Sequence, residues 1–449
     1  MDANIHPGEW VAIIGAGPAG LFAAKQLAAD GCRVVIFNRD IKPGGLAEYG
    51  IYPEKYKMKD GLRSQFRQIV QDPHITYLGN MRVAQDGDLR LDEIRSLGFR
   101  AVLVTIGAQG TKWLGLPGEQ LEGSYHAKDI VYHYNLLPPF SQRLYRIGQR
   151  VAVVGVGNVM LDVVHWLIQV RQVEEVVAIA RRGPNEVKFD RRELEYVAAN
   201  LDLDALNGEI ARHLPVMQAL GQDPDALRQM VDAAREKAVR ILSNTHFQLR
   251  FLLSPRSVLG DDLGRVNGLE LEENTLKMEN SEVKARGTGT TQVMKVDSVI
   301  FAIGDRIDPN FGLPVSGNEY VHHPQPRFPV DDASYEAYDP AAQSAIEGVF
   351  IAGWSRKASE GLVGVARRDG TNGARAVKAY LQSLPPQPLD DLPALEKRLN
   401  QIEHPIVRKQ DLERLTSVET EIARERGLLD FKFGSNEEML AAIRVPVEP

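Results

Sequence analysis

The chain has 449 residues, enough for two or three domains each burying its own core, and its 43% apolar and 25% charged residues are ordinary for a globular α/β protein. A formal charge of −7 without a basic or aromatic array gives no ground for nucleic-acid binding, and no apolar run is long enough to cross a bilayer. The single cysteine, Cys32, excludes an internal disulfide, a Cys-x-x-Cys redox pair and a cysteine-ligated iron–sulfur cluster carried by this chain.

The residues before the first strand lack the charged-then-apolar pattern of a signal peptide, so a cytoplasmic protein is expected. Val11–Ile14 reads as a strand, Leu21–Ala29 as a helix and Arg33–Phe37 as a second strand, a compact strand–helix–strand unit. Ile75–Leu78 with Arg82-Val83 reads as a short strand. Ala101–Ile106 reads as a buried one that ends at Gly107. Val151–Val154 opens a second unit whose next strand is Val176–Ala180. Residues of roughly 190–240 have Leu, Ala, Arg and Glu at helical spacing, and strands follow at Phe247–Leu253, Gly268–Leu271 and Val296–Ile303. A final strand, Gly348–Gly353, precedes a final helix, Gly370–Leu381, which the prolines within Leu384–Pro388 break. The remaining sixty or so residues are amphipathic and are expected to cover the core.

Two glycine turns carry the chemistry. Gly15-Ala-Gly17-Pro18-Ala19-Gly20 and Gly155-Val156-Gly157-Asn158 each follow a β-branched strand and open a helix, about 140 residues apart. A pyrophosphate rests on a helix N-terminus only if the strand-to-helix turn is tight and the backbone comes close, and glycine permits both. One such turn is weak evidence. Two in this context argue for two dinucleotides, a flavin and a nicotinamide cofactor being the obvious pair. Asn38 stands where an acidic residue usually ends the second strand and holds the ribose; its amide keeps hydrogen-bonding capacity, and Asp40 is the runner-up. Arg181 and Arg182 follow a strand at the place where a 2′-phosphate would lie, and no carboxylate stands there, which favours NADP over NAD. Further cofactor-binding positions are Gly45, Gly107 and Gly353. No metal-ligand set is expected.

The landmarks Gly15–Gly20, Gly44–Gly50, Ile106–Ala108, Gly155–Asp162, Arg181-Arg-Gly-Pro184, Ile303-Gly304, Ala352-Gly-Trp354, Gly361-Leu-Val and Asp369 occur in this order along essentially the whole chain. In this the sequence resembles the adrenodoxin-reductase-like group of ferredoxin–NADP reductases. The resemblance implies two Rossmann-like domains, an FAD domain (1–107 and 305–449, with a C-terminal helical extension) interrupted by an inserted NADP domain (108–304). It places flavin contacts at Ala19, Asn38, Leu46, Val83, Trp354, Gly361, Leu362 and Val363. It places NADP contacts at Val156, Gly157, Asn158, Val159, Arg181, Arg182, Glu193 and Gly361. Trp354, Gly361 and Asp162 are the positions expected nearest the chemistry, which is hydride transfer from NADPH to FAD and one-electron steps to a small iron–sulfur protein, a ferredoxin. A monomer is expected.

The departures from that pattern are Asn38, Met160 where an alanine usually sits, Lys55 where a histidine often stands, and Ala358-Ser359-Glu360 before Gly361. A basic cluster, Arg235, Lys237 and Arg240, reads either as a solvated helix face or as a docking patch for an acidic iron–sulfur protein. Two other readings stay open: an NADPH-oxidising subunit of a larger complex, like the small subunit of glutamate synthase or a bifurcating partner, and a non-catalytic flavoprotein scaffold. The first lacks its usual cysteine-rich domain here.

Overall fold

The computed structural model describes residues 8–238, 241, 243–358, 361–385 and 391–444. Their contacts form two units. The first comprises Met1–Thr111, Tyr132–Gln142 and Asp305–Pro449, and the second Lys112–Val131 and Arg143–Gly304.

The first unit is built on Trp10–Ile14, a strand whose side chains from Val11 to Ile14 are at most 2% exposed. A strand buried on both faces reads as a continuous apolar run, and it needs parallel neighbours with helices above and below. It has them. Spatially the sheet runs Glu336–Asp339, Ser344–Ile351, Ala101–Val104, Trp10–Ile14, Arg33–Asn38, Ile75–Gly79, all parallel except the first. The chain leaves the central strand towards one edge and returns on its other side at Ala101–Val104. This is the switch point at which doubly wound sheets open a ligand crevice.

Helices Pro18–Ala29 and Val363–Ser383 lie side by side on one face of this sheet. Small residues set their closeness: a Cβ on Gly370 would fall 2.1 Å from the Ala19 carbonyl oxygen. The final helix begins at Val363, not at Gly370: residues 363–369 are already helical, and both Gly364 and Gly370 lie inside it. It ends at Ser383, and residues 386–388 of the expected break lie outside the described residues. The C-terminal helices Pro393–Leu399, Lys409–Glu425 and Asn436–Arg444 bury Leu395, Leu399, Leu415, Met439 and Ile443 against this unit.

The second unit repeats the plan with five parallel strands, ordered Ser124–His126, Ser298–Phe301, Arg150–Val154, Glu175–Ile179, His246–Arg250. The helical stretch of 190–240 resolves into Arg191–Leu194, Leu203–Ala219 and Ala226–Arg235, broken where Asn200 and Gly221 interrupt the period. An antiparallel sheet, Leu253–Gly260, Val266–Glu279 and Glu282–Met294, is far longer than the segment Gly268–Leu271 expected from sequence. Its outer strand is largely exposed, so no apolar alternation marks it, and the ladder of backbone hydrogen bonds holds it instead.

Candidate functional site

The two glycine turns are the same device built twice. Gly15 N donates to Phe37 O at 2.7 Å, and Gly155 N donates to Ile179 O at 2.9 Å. Thr105 N donates to Ile14 O, and Ala302 N to Val154 O, each at 2.8 Å. Gly15 and Gly155 have φ of +104° and +124°, and a Cβ on either would strike the Thr105 or Ala302 carbonyl oxygen, at 2.7 and 2.2 Å. Glycine is needed there by backbone conformation and by protein packing.

Gly17 and Gly157 are different. Both are N-cap residues in extended conformation open to any amino acid, φ −75° and −112°, and beyond the adjoining residues no protein atom lies within 4 Å of where a Cβ would stand. Neither strain nor packing calls for glycine at these two places. Each place leaves room for close approach by a group outside the protein, at a helix N-terminus without an acidic residue in its first turn. In the first unit the loop carrying Gly44 and Gly45 folds back to the same place: Gly44 N donates to Ala16 O at 2.7 Å, and a Cβ on Gly45 would lie 3.1 Å from the Gly17 Cα. The residues fit a dinucleotide pyrophosphate in both units.

The third glycine positions diverge. A Cβ on Gly20 would meet the Gly15 carbonyl oxygen at 2.0 Å and the Thr105 hydroxyl at 2.6 Å, so the first helix sits against its turn. In the second unit Met160 occupies the equivalent place and is fully buried.

Asn38 requires a correction. The sequence places it against a ribose, but it is 7% exposed and its side chain is spent inside the protein. Its Oδ1 accepts from Ala16 N at 3.0 Å, while Nδ2 faces Asp40 O at 2.8 Å, the Tyr77 hydroxyl at 3.0 Å and Lys42 O at 3.1 Å. It braces the glycine turn and the loop after the strand. Asp40, the runner-up, pairs with Arg39 at 2.9 Å.

Around the turn, Gly353 (φ +68°) places its Cα so that a Cβ would lie 2.7 Å from that of Ala19. Gly107 N donates to Ser355 Oγ at 2.9 Å, joining the ends of two strands. Asp369, a sequence landmark to which no role attaches until the fold is seen, holds this corner: its carboxylate accepts from Gly353 N at 2.6 Å and from the Tyr335 hydroxyl at 3.1 Å, and it pairs with Arg356. Trp354 is half-buried between Gly353 and Ser355. Gly361 (φ +75°) and Leu362 are exposed, and Val363 is half-buried as it starts the long helix, whose first turn holds no acidic residue. Leu46 is half-buried beside Tyr49 and Tyr132, whereas the Val83 side chain packs in the core with Met81 and Leu89. Of the Ala358-Ser359-Glu360 departure, Ser359 and Glu360 lie outside the described residues.

Sequence reasoning misses the ionic cluster beneath Gly44–Gly50. Glu48 is 2% exposed and accepts from Arg63 at 2.6 and 2.7 Å and from Lys432 at 3.0 Å. Burial alone would push its carboxyl up, but Lys432 and Arg63 hold it well below the usual range. Lys59 donates to Asn135 Oδ1 at 2.9 Å, and burial, helped by Lys432, pulls its amine down to about 7. Nothing in the spacing of these residues signals burial, since their partners come from segments 48–63, 132–142 and 430–433. Lys55 ends a short turn, Pro53–Lys55, and is half-buried.

In the second unit Asn158 and Asp190 clasp each other: Asp190 N donates to Asn158 Oδ1 at 2.9 Å and Asn158 Nδ2 to Asp190 Oδ2 at 3.0 Å. Asp190 Oδ1 also caps the short helix of Glu193 by accepting its amide at 3.1 Å. Arg181 is exposed and Arg182 half-buried; among the described residues neither pairs with a carboxylate. Their carbonyls are fixed by Asn274 Nδ2 and Leu252 N, at 3.0 and 3.1 Å. Val159 is 47% exposed at the open side of the turn, and Val156 is half-buried. Asp162 is half-buried and lies beyond the first turn of Asn158–Trp166. Near Gly304, His126 is 2% exposed: Nδ1 accepts from Lys128 N at 3.2 Å, which leaves Nε2 to donate to Gly304 O at 3.2 Å. Burial lowers its pKa to about 4.

Of the basic cluster, two of the three residues are described. Arg235 donates to Ala198 O at 2.9 Å and is occupied in clamping a turn, Lys237 is exposed, and Arg240 lies outside the described residues.

Comparison with known proteins agrees with the geometry. The family described as "Pyridine nucleotide-disulphide oxidoreductase" matches residues 10–201. NADPH-ferredoxin reductase FprA of Mycobacterium tuberculosis (strain ATCC 25618 / H37Rv) is 30% identical over 402 residues, 80% of this chain and 81% of the relative. The FprA of Mycobacterium leprae (strain TN) is 29% identical over 397 residues, covering 81% and 82%. The mitochondrial NADPH:adrenodoxin oxidoreductase of Salvelinus fontinalis is 26% identical over 403 residues, covering 82% and 77%. The solved structure of Mycobacterium tuberculosis FprA in complex with NADPH has the same fold, with a TM-score of 0.79 over 97% of this chain and 99% of that one at 24% identity.

Proposed function

This chain belongs to the family of the NADPH-ferredoxin and NADPH:adrenodoxin reductases, and from that premise we propose how its two units divide the work. It is an FAD-dependent oxidoreductase that uses NADPH and passes electrons to an iron–sulfur protein. The first unit is the FAD domain and the second the NADP domain. The observation that carries this is the paired open space at Gly17 and Gly157.

When bound, FAD takes up a hydride and gives out electrons singly. The protein supplies position and field. Gly15 and Gly20 hold the first turn tight, Gly17 and Pro18 leave room at the helix N-terminus, and Gly45 closes over it. Gly107, Gly353, Trp354 and the Gly361–Val363 entry to the long helix would hold the flavin end. There the uncapped first turn of that helix would stabilise negative charge. Arg181 and Arg182 would hold the 2′-phosphate by charge-assisted hydrogen bonds, Gly155, Val156, Gly157, Asn158 and Val159 would receive the pyrophosphate, and Glu193 would contact the cofactor as well. Asp162 supports the turn from inside its helix. The acceptor is a small ferredoxin-like protein. Among the described residues no helix is long and apolar enough to cross a membrane.

Purified protein should carry one FAD per chain, oxidise NADPH with ferricyanide, and reduce a ferredoxin. Preparations that cannot be reconstituted with FAD would refute the assignment of the first unit, and a protein that binds FAD but never oxidises NADPH would refute that of the second.

A further inference from the structure

The loop between Arg182 and Glu193 is stitched to the second glycine turn along its length. Lys188 N donates to Val156 O at 2.9 Å, and the Asn158–Asp190 clasp follows two residues later. The backbone of Lys188 is thereby held directly beside the turn that opens at Gly157. The Lys188 side chain is exposed, and among the described residues it makes no ion pair.

Its acidic neighbours are engaged elsewhere. Glu186 accepts from Gly183 N at 2.8 Å and from Gln222, while Asp190 is shared between Asn158 and the Glu193 amide. The positive end of the helix Asn158–Trp166 and the backbone of a residue carrying an unpaired ammonium therefore lie beside the same turn. Arg181 and Arg182 stand at the start of this segment, directly after the strand Glu175–Ile179, whereas Lys188 is the residue whose backbone is bonded to the glycine turn.

We propose that Lys188 is a phosphate-binding residue for the pyrophosphate of the nicotinamide cofactor, separate in role from the arginine pair that reads the 2′-phosphate. This rests on the NADP assignment of the second unit. A lysine suits a bridging diester, because a compact charge on a flexible stem neutralises it without needing the bidentate geometry that a terminal phosphate offers an arginine.

The two roles separate experimentally because NADPH and NADH share the pyrophosphate and differ only in the 2′-phosphate. Lys188→Met keeps the length and apolar stem but removes the charge. It should raise KM for NADPH and for NADH by the same factor, roughly tenfold, with ferricyanide as acceptor and little change in kcat. Calorimetric Kd values for NADP⁺ and NAD⁺ should rise in parallel, and Lys188→Arg should restore most of the affinity. Unchanged constants in Lys188→Met would overturn the proposal, as would a loss confined to NADPH and NADP⁺, which would move Lys188 to the 2′-phosphate. A loss that Lys188→Arg does not restore would make the side chain structural and overturn it too. A wild-type protein that binds neither cofactor would instead overturn the NADP assignment itself.

Discussion

Asn38 Oδ1 accepts the main-chain amide of Ala16 at 3.0 Å, so the side chain at the end of the second strand braces the glycine turn from within the protein. Its amide nitrogen faces three oxygens, those of Asp40, Lys42 and Tyr77. Asn38→Asp would keep the acceptor, lose the donor and set a carboxylate against two carbonyls. The expected cost is about 1–3 kcal/mol for the buried acceptors left unpaired. Denaturant unfolding checks the stability, and absorbance checks FAD retention. A variant as stable as the wild type that binds FAD more tightly would show that this side chain faces the ribose after all.

Gly17→Ala should fold normally and fail to hold FAD, because its backbone is unstrained and only open space surrounds the new methyl group. Gly20→Ala should instead destabilise the fold, since its Cβ would lie 2.0 Å from the Gly15 carbonyl oxygen. Apoprotein unfolding midpoints with FAD content separate the two. If Gly17→Ala retained FAD in full, the open space at Gly17 would not be where the pyrophosphate sits.

Replacing Arg181 and Arg182 with alanine should lower kcat/KM for NADPH steeply and leave that for NADH nearly unchanged. Each charge-assisted hydrogen bond lost is worth roughly 1.5–3 kcal/mol, tenfold or more in efficiency. Steady-state kinetics with both cofactors is the measurement, and equal use of NADH and NADPH by the wild type would contradict the assignment.

His126 makes stability depend on pH. Its folded pKa, about 4, lies below the ordinary 6.5, so between these values the unfolded chain binds more protons than the native one. The stabilisation is present above pH 6.5 and is lost as pH falls towards 4, by a total on the order of 3 kcal/mol. His126→Gln should flatten this part of the profile. Parallel wild-type and variant curves between pH 4 and 6.5 would show that the ring is not buried neutral.

Short-range signals in the sequence determined the strand–turn–helix units, both glycine turns, the doubly wound class and the arginine pair. A parallel strand buried on both faces must be apolar throughout, and a tight phosphate-receiving turn must contain glycine, so each constraint is written within a few neighbouring residues. Tertiary structure alone decided what the polar side chains do. Asn38, read locally, is a ribose ligand; Tyr77 and the loop at 40–42 make it a brace. Arg235 is an exposed charge, as its spacing suggests, but only the fold shows that its guanidinium also holds the Ala198 carbonyl. Lys59, Glu48 and Lys432 become a buried cluster only when segments hundreds of residues apart meet. Of the hairpin Val266–Met294 only Gly268–Leu271 was legible, because the strand Glu282–Met294 is held by cross-strand backbone pairing and, being exposed, carries no apolar period. A hydrogen-bond partner is set by position in space, and spacing along the chain constrains that position only where a single turn or strand fixes both groups.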